Sequence, residues 1–375
     1  MPNQFLINKL ILQNFRNFEN QKFIFDNQQI FLSGKNGSGK SNVLESLTIL
    51  GRTPSIRNSD FDEMLKIDAP QFSVFGQVSG HDFIEKISVN FVENPKKKNL
   101  EINGESINIK RQGDVKNHLP NFIFLTPQLE QLFISGKANR RTYLDHIVAD
   151  IDLLHQNRLN DYQKLLRERL LILQKYQQQS SSKKWLETIE NKIVETAIAI
   201  GSARIEAIEF FNKAIKSFDS NFPQTTLQII GDVEQAINKQ SSLQIESFYH
   251  EKLQNNRKAD LENFKTNFGI HRSDFDAIFC TKNLSAILSS TGEQKAIMIA
   301  ITIARAKICS QYRNQPTILI FDEIVSHLDD KRKIDLLSEI GATNLQCFFS
   351  ATNFELVPFE LRGKISEIKI DNSST

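Results

Sequence analysis

The chain has 375 residues, 40% hydrophobic and 24% charged, the composition of an ordinary globular protein with enough length for two or three domains. A formal net charge of +2 is too small to argue for a nucleic-acid partner, so any such claim has to rest on a local patch. Three cysteines, Cys280, Cys309 and Cys347, lie too far apart for zinc-ligand spacing or a disulfide framework and read as buried small apolar residues in a reducing compartment.

The N-terminus, MPNQFLINKL, lacks a basic-then-apolar signal pattern, and no run approaches the ~18 apolar residues of a membrane span, which predicts a cytoplasmic protein without a membrane partner. FLINKLILQNFRNF and QKFIFDNQQIFLS read as strands. The second runs into Gly34-Lys35-Asn36-Gly37-Ser38-Gly39-Lys40-Ser41, whose Gly-x-x-x-x-Gly-Lys-Ser spacing between an apolar strand, Ile30 to Leu32, and a helix, Ser41 to Leu50, is the P-loop pattern. Glycines let successive N–H groups point at phosphate oxygens, and the helix N-terminus adds partial positive charge. Lys40 is then placed for the β and γ phosphates of ATP and the Ser41 hydroxyl for Mg²⁺.

SVFGQVSG, FIEKISVNFVE, NLEING and ESINIK follow as hairpin strands, with Asn103-Gly104 as a two-residue turn, and the first third reads as a mixed sheet around the P-loop. Lys96-Lys97-Lys98, after Asn94-Pro95, reads as a solvated loop tip.

The texture changes near Gly136. Leu159, Tyr162, Leu166, Leu170 and Leu173 recur at helical spacing, and after QQQSSSKK the pattern resumes at Trp185, Ile189, Ile193 and Ala197 and continues to Phe218, with Gly201 as a soft point. An antiparallel helical arm is the simplest packing. Arg158, Lys164, Arg167, Arg169, Lys175, Lys183 and Lys184 outnumber Asp161 and Glu168 along it, which suits either a DNA-contacting face or a plain solvated one.

Beyond the arm, Ser290-Thr291-Gly292-Glu293-Gln294 heads the helix AIMIAITIARAKI and is similar to the signature of ABC-type ATPases, in which it caps the γ-phosphate held by another subunit. The apolar strand Thr317 to Phe321 ends in Asp322-Glu323, followed by Ser326-His327-Leu328-Asp329. Asp322 is read as a Mg²⁺ ligand, directly or through water, and Glu323 as the residue that polarises an attacking water. One Mg²⁺ touching both Ser41 and Asp322 requires the two ends of the chain to share a sheet, with the Asp322 strand expected beside the P-loop strand and the arm inserted between them.

These residues resemble the RecF family, short-armed relatives of SMC and Rad50 heads, over most of the chain. The resemblance is carried by Phe15-Arg16-Asn17-Phe18, the P-loop, Phe124-Leu125-Thr126-Pro127, Arg140-Arg141-Thr142-Tyr143-Leu144-Asp145, Gly269-Ile270-His271-Arg272-Ser273-Asp274, the signature and Asp322 to Asp329. Gly51 to Arg57 departs from the family's usual Ser-His-Arg, and Ile270 stands where proline is usual.

The resemblance implies an α/β ABC-type ATPase head, residues 1–137 and 262–375, with an inserted helical arm, residues 138–261. It implies nucleotide contacts from Arg16, Asn17, Ser290, Thr291 and Gly292 as well as from the P-loop. It further implies an ATP-driven homodimer that recognises gapped or single-stranded DNA, hydrolyses ATP slowly under DNA stimulation, and works with RecR and RecO to load RecA. A transporter ATPase is disfavoured because Cys347 to Thr352 lacks the switch histidine. An SMC-type ATPase would need a longer arm, and a stand-alone ABC-type ATPase of phage defence would need a nuclease domain after KISEIKIDNSST.

Overall fold

The computed structural model describes residues 5–52, 55–57, 59–80, 83–107, 119–176, 182–313 and 315–371. The chain forms two compact units: Met1–Glu130 with Asp219–Phe222 and Met298–Thr375, and Gln131–Phe218 with Pro223–Ile297.

The first unit holds two sheets. In chain order its strands are β1 (Leu6–Phe15), β2 (Phe18–Ile24), β3 (Gln29–Ser33), β4 (Gln71–Ser79), β5 (Ile84–Val92), β6 (Lys97–Ile102), β7 (Glu105–Ser106) and β8 (Asn121–Leu125). An antiparallel sheet runs β2-β1-β4-β5-β6-β7. β4 and β5 alternate buried and half-buried residues, the signature of a sheet with one face in the core. Asn103 and Gly104 take φ of +53° and +86°, as a two-residue hairpin of this hand demands. Residues 108–110 of the expected last strand lie outside the described residues.

The remaining strands are β9 (Thr225–Ile230), β10 (Asp274–Phe279) and β11 (Leu284–Ser285) in the second unit, and β12 (Thr317–Asp322), β13 (Gln346–Ala351) and β14 (Ser366–Lys369) in the first. The second sheet of the first unit is parallel, in the order β14-β3-β13-β12-β8. Its central strands read as continuous apolar runs because both faces are covered. The two ends of the chain do share one sheet, but two expectations need correction. The P-loop strand belongs to a parallel sheet separate from the N-terminal hairpins. Nor is the Asp322 strand its neighbour, since β13 lies between β3 and β12.

Lys96-Lys97-Lys98 is exposed as expected but is only partly a loop tip: Lys96 pairs with Asp62, Lys97 and Lys98 begin β6, and the Lys98 ammonium sits 4.1 Å from the Phe61 ring centroid. Cys309 and Cys347 are buried as expected; Cys280 is exposed.

The second unit is built on the arm helices His155–Tyr176 and Ser182–Ser217, with residues 177–181 outside the described set. The second helix passes Gly201 without a break, and a Cβ there would meet Ile237 Cδ1 at 2.6 Å. The glycine marks close helix packing rather than a soft point. Arg169 also departs from its expected surface position. It is fully buried, donating to Glu190, Asp260 and the Leu253 carbonyl. Arg169→Met should leave the buried Asp260 with the Asn267 bonds but without this cation, while Glu190 keeps Arg257, and cost about 3–5 kcal/mol. Urea denaturation checks this, and an unchanged midpoint would contradict it.

The segments Arg140–Asp145 and Gly269–Asp274 meet in this unit. Arg140 holds Asp274 through two 2.8 Å bonds, and Arg141 donates to the Ser273 carbonyl. Asp145 accepts from Arg204 at 2.9 and 3.0 Å and pairs with His155, while Glu234 joins Arg204 to Ser273. The two segments thus hold each other through a shared network of buried charges and backbone carbonyls, in which a change at one member leaves others without a partner.

Candidate nucleotide site

β3 delivers the chain to a loop whose crest, Lys35-Asn36-Gly37, is exposed, while Ser38, Gly39 and Lys40 are buried beneath it. Gly39 starts the helix Lys40–Thr48 at φ +106°, and a Cβ there would meet Asn17 Nδ2 at 2.7 Å and the Phe18 ring at 2.8 Å. Only glycine meets both demands. Lys40 Nζ folds back onto the carbonyls of Gly34 and Lys35, at 2.8 and 3.1 Å. Burial holds its pKa below the usual lysine value, against the pull of Glu323 and Asp322. Ser38 Oγ is buried with no hydrogen-bond partner among the described residues. An orphaned hydroxyl, an ammonium resting on neutral carbonyls and a glycine-lined loop before a helix fit a phosphate chain.

The acid pair lies in the same unit. Ser41 Oγ donates to Asp322 Oδ1 at 3.2 Å across 281 positions of sequence. Hydroxyl beside carboxylate is an all-oxygen donor set, which fits Mg²⁺. Glu323 follows in the left-handed region, φ +59°, a conformation that costs a non-glycine residue about 1–3 kcal/mol. The fold thus brings Lys40, Ser41, Asp322 and Glu323 together.

Arg16 and Asn17 form the two-residue turn of the β1–β2 hairpin, closed by the Phe15–Phe18 pair. The Arg16 guanidinium grips the buried Glu45 of the P-loop helix through bonds of 2.8 and 2.9 Å and also donates to Ser59 and the Glu63 carbonyl. Asn17 donates to the Ser38 carbonyl at 3.3 Å and accepts from Asn42. Both residues therefore buttress the cradle. Arg57 reaches Asn42 at 2.8 Å, whereas Thr53 and Pro54 lie outside the described residues.

The signature lies in the second unit. Ser290 precedes the helix Thr291–Arg313, and both its N–H and its hydroxyl donate to Glu293 Oε2 at 2.8 Å. Lys282 binds the other Glu293 oxygen at 2.5 Å, and together with Ser290 it pushes the Glu293 carboxyl down to about 2. Thr291 is exposed and Gly292 half-buried at the helix start.

One contributor escaped sequence reading. Ser350, on β13, donates to Asp322 Oδ1 at 2.5 Å and accepts from the Glu323 N–H at 2.9 Å. The signal was present, a serine directly after the apolar Cys347-Phe348-Phe349 run of a buried strand, but its meaning depends on the register that sets Ser350 opposite Asp322.

The RecF/RecN/SMC N terminal domain family matches residues 6–359. The chain is 35% identical over 358 residues to the DNA replication and repair protein RecF of Rickettsia typhi, covering 95% of this chain and 96% of the relative. Against that of Rickettsia prowazekii it is 34% identical over 355 residues, with coverage of 95% and 96%. A solved structure of the recombination mediator protein RecF-ATPrS in the RecFOR pathway aligns with a TM-score of 0.82 at 25% identity, covering 96% of both chains. The Smc head domain of Pyrococcus furiosus, at 16% identity and a TM-score of 0.52 over 94% of this chain and 91% of that one, shares the fold. With an ABC-type α/β head, a helical insertion and this breadth of similarity, the chain belongs to the RecF family of DNA replication and repair proteins.

Proposed function

We propose that the protein is an ATP-dependent DNA-binding factor of recombinational repair. In this reading it pairs with a second copy around ATP, recognises gapped or single-strand/double-strand junction DNA, and acts with RecR and RecO to promote RecA loading. The observation that carries it is the convergence of Lys40, Ser41, Asp322 and Glu323 on the P-loop cradle. Relatives named as DNA replication and repair proteins, and neighbours solved as RecF-ATP and RecF-ATPrS, support it.

Each residue has a role. The peptides from Gly34 to Gly39 and the Lys40 ammonium bind phosphate, Ser41 and Asp322 would hold Mg²⁺, and Arg16 and Asn17 keep the cradle in shape. Bound Mg²⁺ would neutralise charge on the phosphates. Glu323 accepts a proton from water, and Ser290 at the head of its helix completes the site of a second copy. Hydrolysis is slow and DNA-stimulated, and it limits the lifetime of the pair.

The test is binding to gapped, duplex and single-stranded DNA with and without ATP, with dimerisation measured in parallel. ATP-dependent preference for gapped DNA together with dimer formation is the expected result; equal binding without ATP would overturn it.

The arm enters the same assay. Arg169 is internal and Arg158 is paired with Asp152, but Lys183 and Lys184 are exposed. If these two contact DNA phosphates, Lys183→Glu with Lys184→Glu weakens binding and reduces the slope of log affinity against log salt by about 1–2. An unchanged slope identifies a plain solvated face.

A further inference from the structure

The strand that separates the P-loop strand from the Asp322 strand also ties the two acids together. Ser350 is fully buried, and parallel pairing sets it opposite Asp322. Its hydroxyl hydrogen is committed to Asp322 Oδ1 at 2.5 Å, and its oxygen accepts the Glu323 N–H at 2.9 Å, beside the 3.1 Å bond from that N–H to the Ser350 carbonyl. We propose that Ser350 is a positioning residue which holds the metal-ligand carboxylate of Asp322 and the main chain of Glu323 as one rigid unit. The inference rests on the ATP and Mg²⁺ reading given above.

Both hydroxyls on Asp322, those of Ser41 and Ser350, point at the same oxygen, Oδ1. No hydrogen bond among the described residues engages Oδ2, which leaves that oxygen for a cation. Ser41 is the other proposed metal ligand. A hydroxyl can offer a lone pair to a cation and still keep its hydrogen on the carboxylate, so Ser350 supplies a second bond to Asp322, one that comes from outside the proposed ligand set. Hydrogen bonds from outside a metal's ligand set are what fix carboxylate ligands, and losing one typically costs about 10–100-fold in affinity or activity. The second contact concerns Glu323. Its left-handed backbone, φ +59°, persists only where surrounding bonds over-determine it, and its N–H is held entirely by Ser350. One serine thereby sets the direction of the ligand and the perch of the base, an arrangement no single motif encodes.

The experiment begins with a Mg²⁺ titration of ATP binding and DNA-stimulated hydrolysis by the wild-type protein. A wild type without Mg²⁺-dependent nucleotide binding overturns the site reading itself, and the inference with it. Ser350→Ala then removes one oxygen, and Ser350→Cys keeps the shape in a slightly larger side chain with a much weaker donor. Both should lower kcat by about 10–100-fold and raise the Mg²⁺ concentration for half-maximal activity, while ATP affinity measured in EDTA stays as in wild type. Ser350→Thr retains the hydroxyl and should recover kcat to within a few-fold.

Three results would overturn the proposal while leaving the site reading intact. The first is an Ala or Cys variant with wild-type kcat and Mg²⁺ midpoint. The second is an equal loss of ATP affinity in EDTA, which would mean general distortion. The third is a Thr variant that melts like wild type yet is no better than Ala. If Ala does not fold, the Cys variant carries the comparison.

Discussion

Lys40→Ala is expected to abolish nucleotide-driven pairing and hydrolysis while leaving the ligand-free protein folded. The Lys40 ammonium rests on two neutral carbonyls of its own loop, a holding position that a phosphate chain replaces with charge-assisted bonds. Removing one partner of a buried charge pair costs about 2–5 kcal/mol, or roughly 30-fold to a few thousand-fold in ATP affinity. The fold should survive because burial already works against this charge. The Lys40 pKa is lowered in the folded chain, so between that value and the ordinary lysine value of 10.5 the unfolded chain binds more protons. Stability of the ligand-free wild type gains from Lys40 as pH rises through that window, and below it the full penalty of the buried cation applies. Lys40→Ala removes this alkaline gain together with the penalty. Fluorescent-nucleotide titration and thermal melting at neutral and alkaline pH check both halves; wild-type hydrolysis by the variant would refute the assignment.

How much of this was legible in the sequence depended on how local each feature is. The P-loop and the helix after it follow from a contiguous motif whose glycines meet nearby backbone demands, and the Asp322-Glu323 strand from an unbroken apolar run. Strand order was not legible in the same way. Reading Ser41 and Asp322 onto one metal placed their strands side by side, yet the hydroxyl and carboxylate meet at 3.2 Å with β13 intervening. A side chain at the mouth of a parallel sheet spans that gap, and chemistry at the strand ends does not fix adjacency. Ser350 was hidden for the same reason, since its partners are set by inter-strand register.

The error at Arg169 was of another kind, because the pattern did contain the answer. Arg169 lies seven residues after Tyr162 and four before Leu173, on the face those residues bury, so a helical wheel assigns it inward. Counting it as a surface cation followed from its type rather than its position. Arg16 is a different case: the family resemblance suggests nucleotide contact, and its donors engage Glu45, Ser59 and the Glu63 carbonyl, contacts that sequence alone does not reveal and that leave the nucleotide expectation untested.

Glu323→Gln should separate binding from chemistry more sharply than any other substitution. The half-buried side chain makes no hydrogen bond through its carboxylate among the described residues, and the N–H bonds to Ser350 that fix its backbone do not involve the side chain. Glutamine therefore keeps the perch and the shape while losing the basicity that accepts a proton from water, a contribution of about 10²–10⁴-fold. Lys40, Ser41 and Asp322 are untouched, so ATP and Mg²⁺ should bind as in wild type, and the electrostatic repulsion between residue 323 and the phosphates falls. Binding without turnover removes the step that limits the lifetime of the pair. Size-exclusion chromatography with ATP should accordingly show a persistent dimer, with phosphate release lowered by two orders of magnitude or more. A monomer in ATP would contradict the proposed dimer. A dimer releasing phosphate at the wild-type rate would move the base elsewhere. The comparison with Ser350→Ala is informative as well, because Ser350→Ala should shift the Mg²⁺ midpoint whereas Glu323→Gln should not. Similar losses of turnover with different metal dependence would distinguish the base from the residue that holds it.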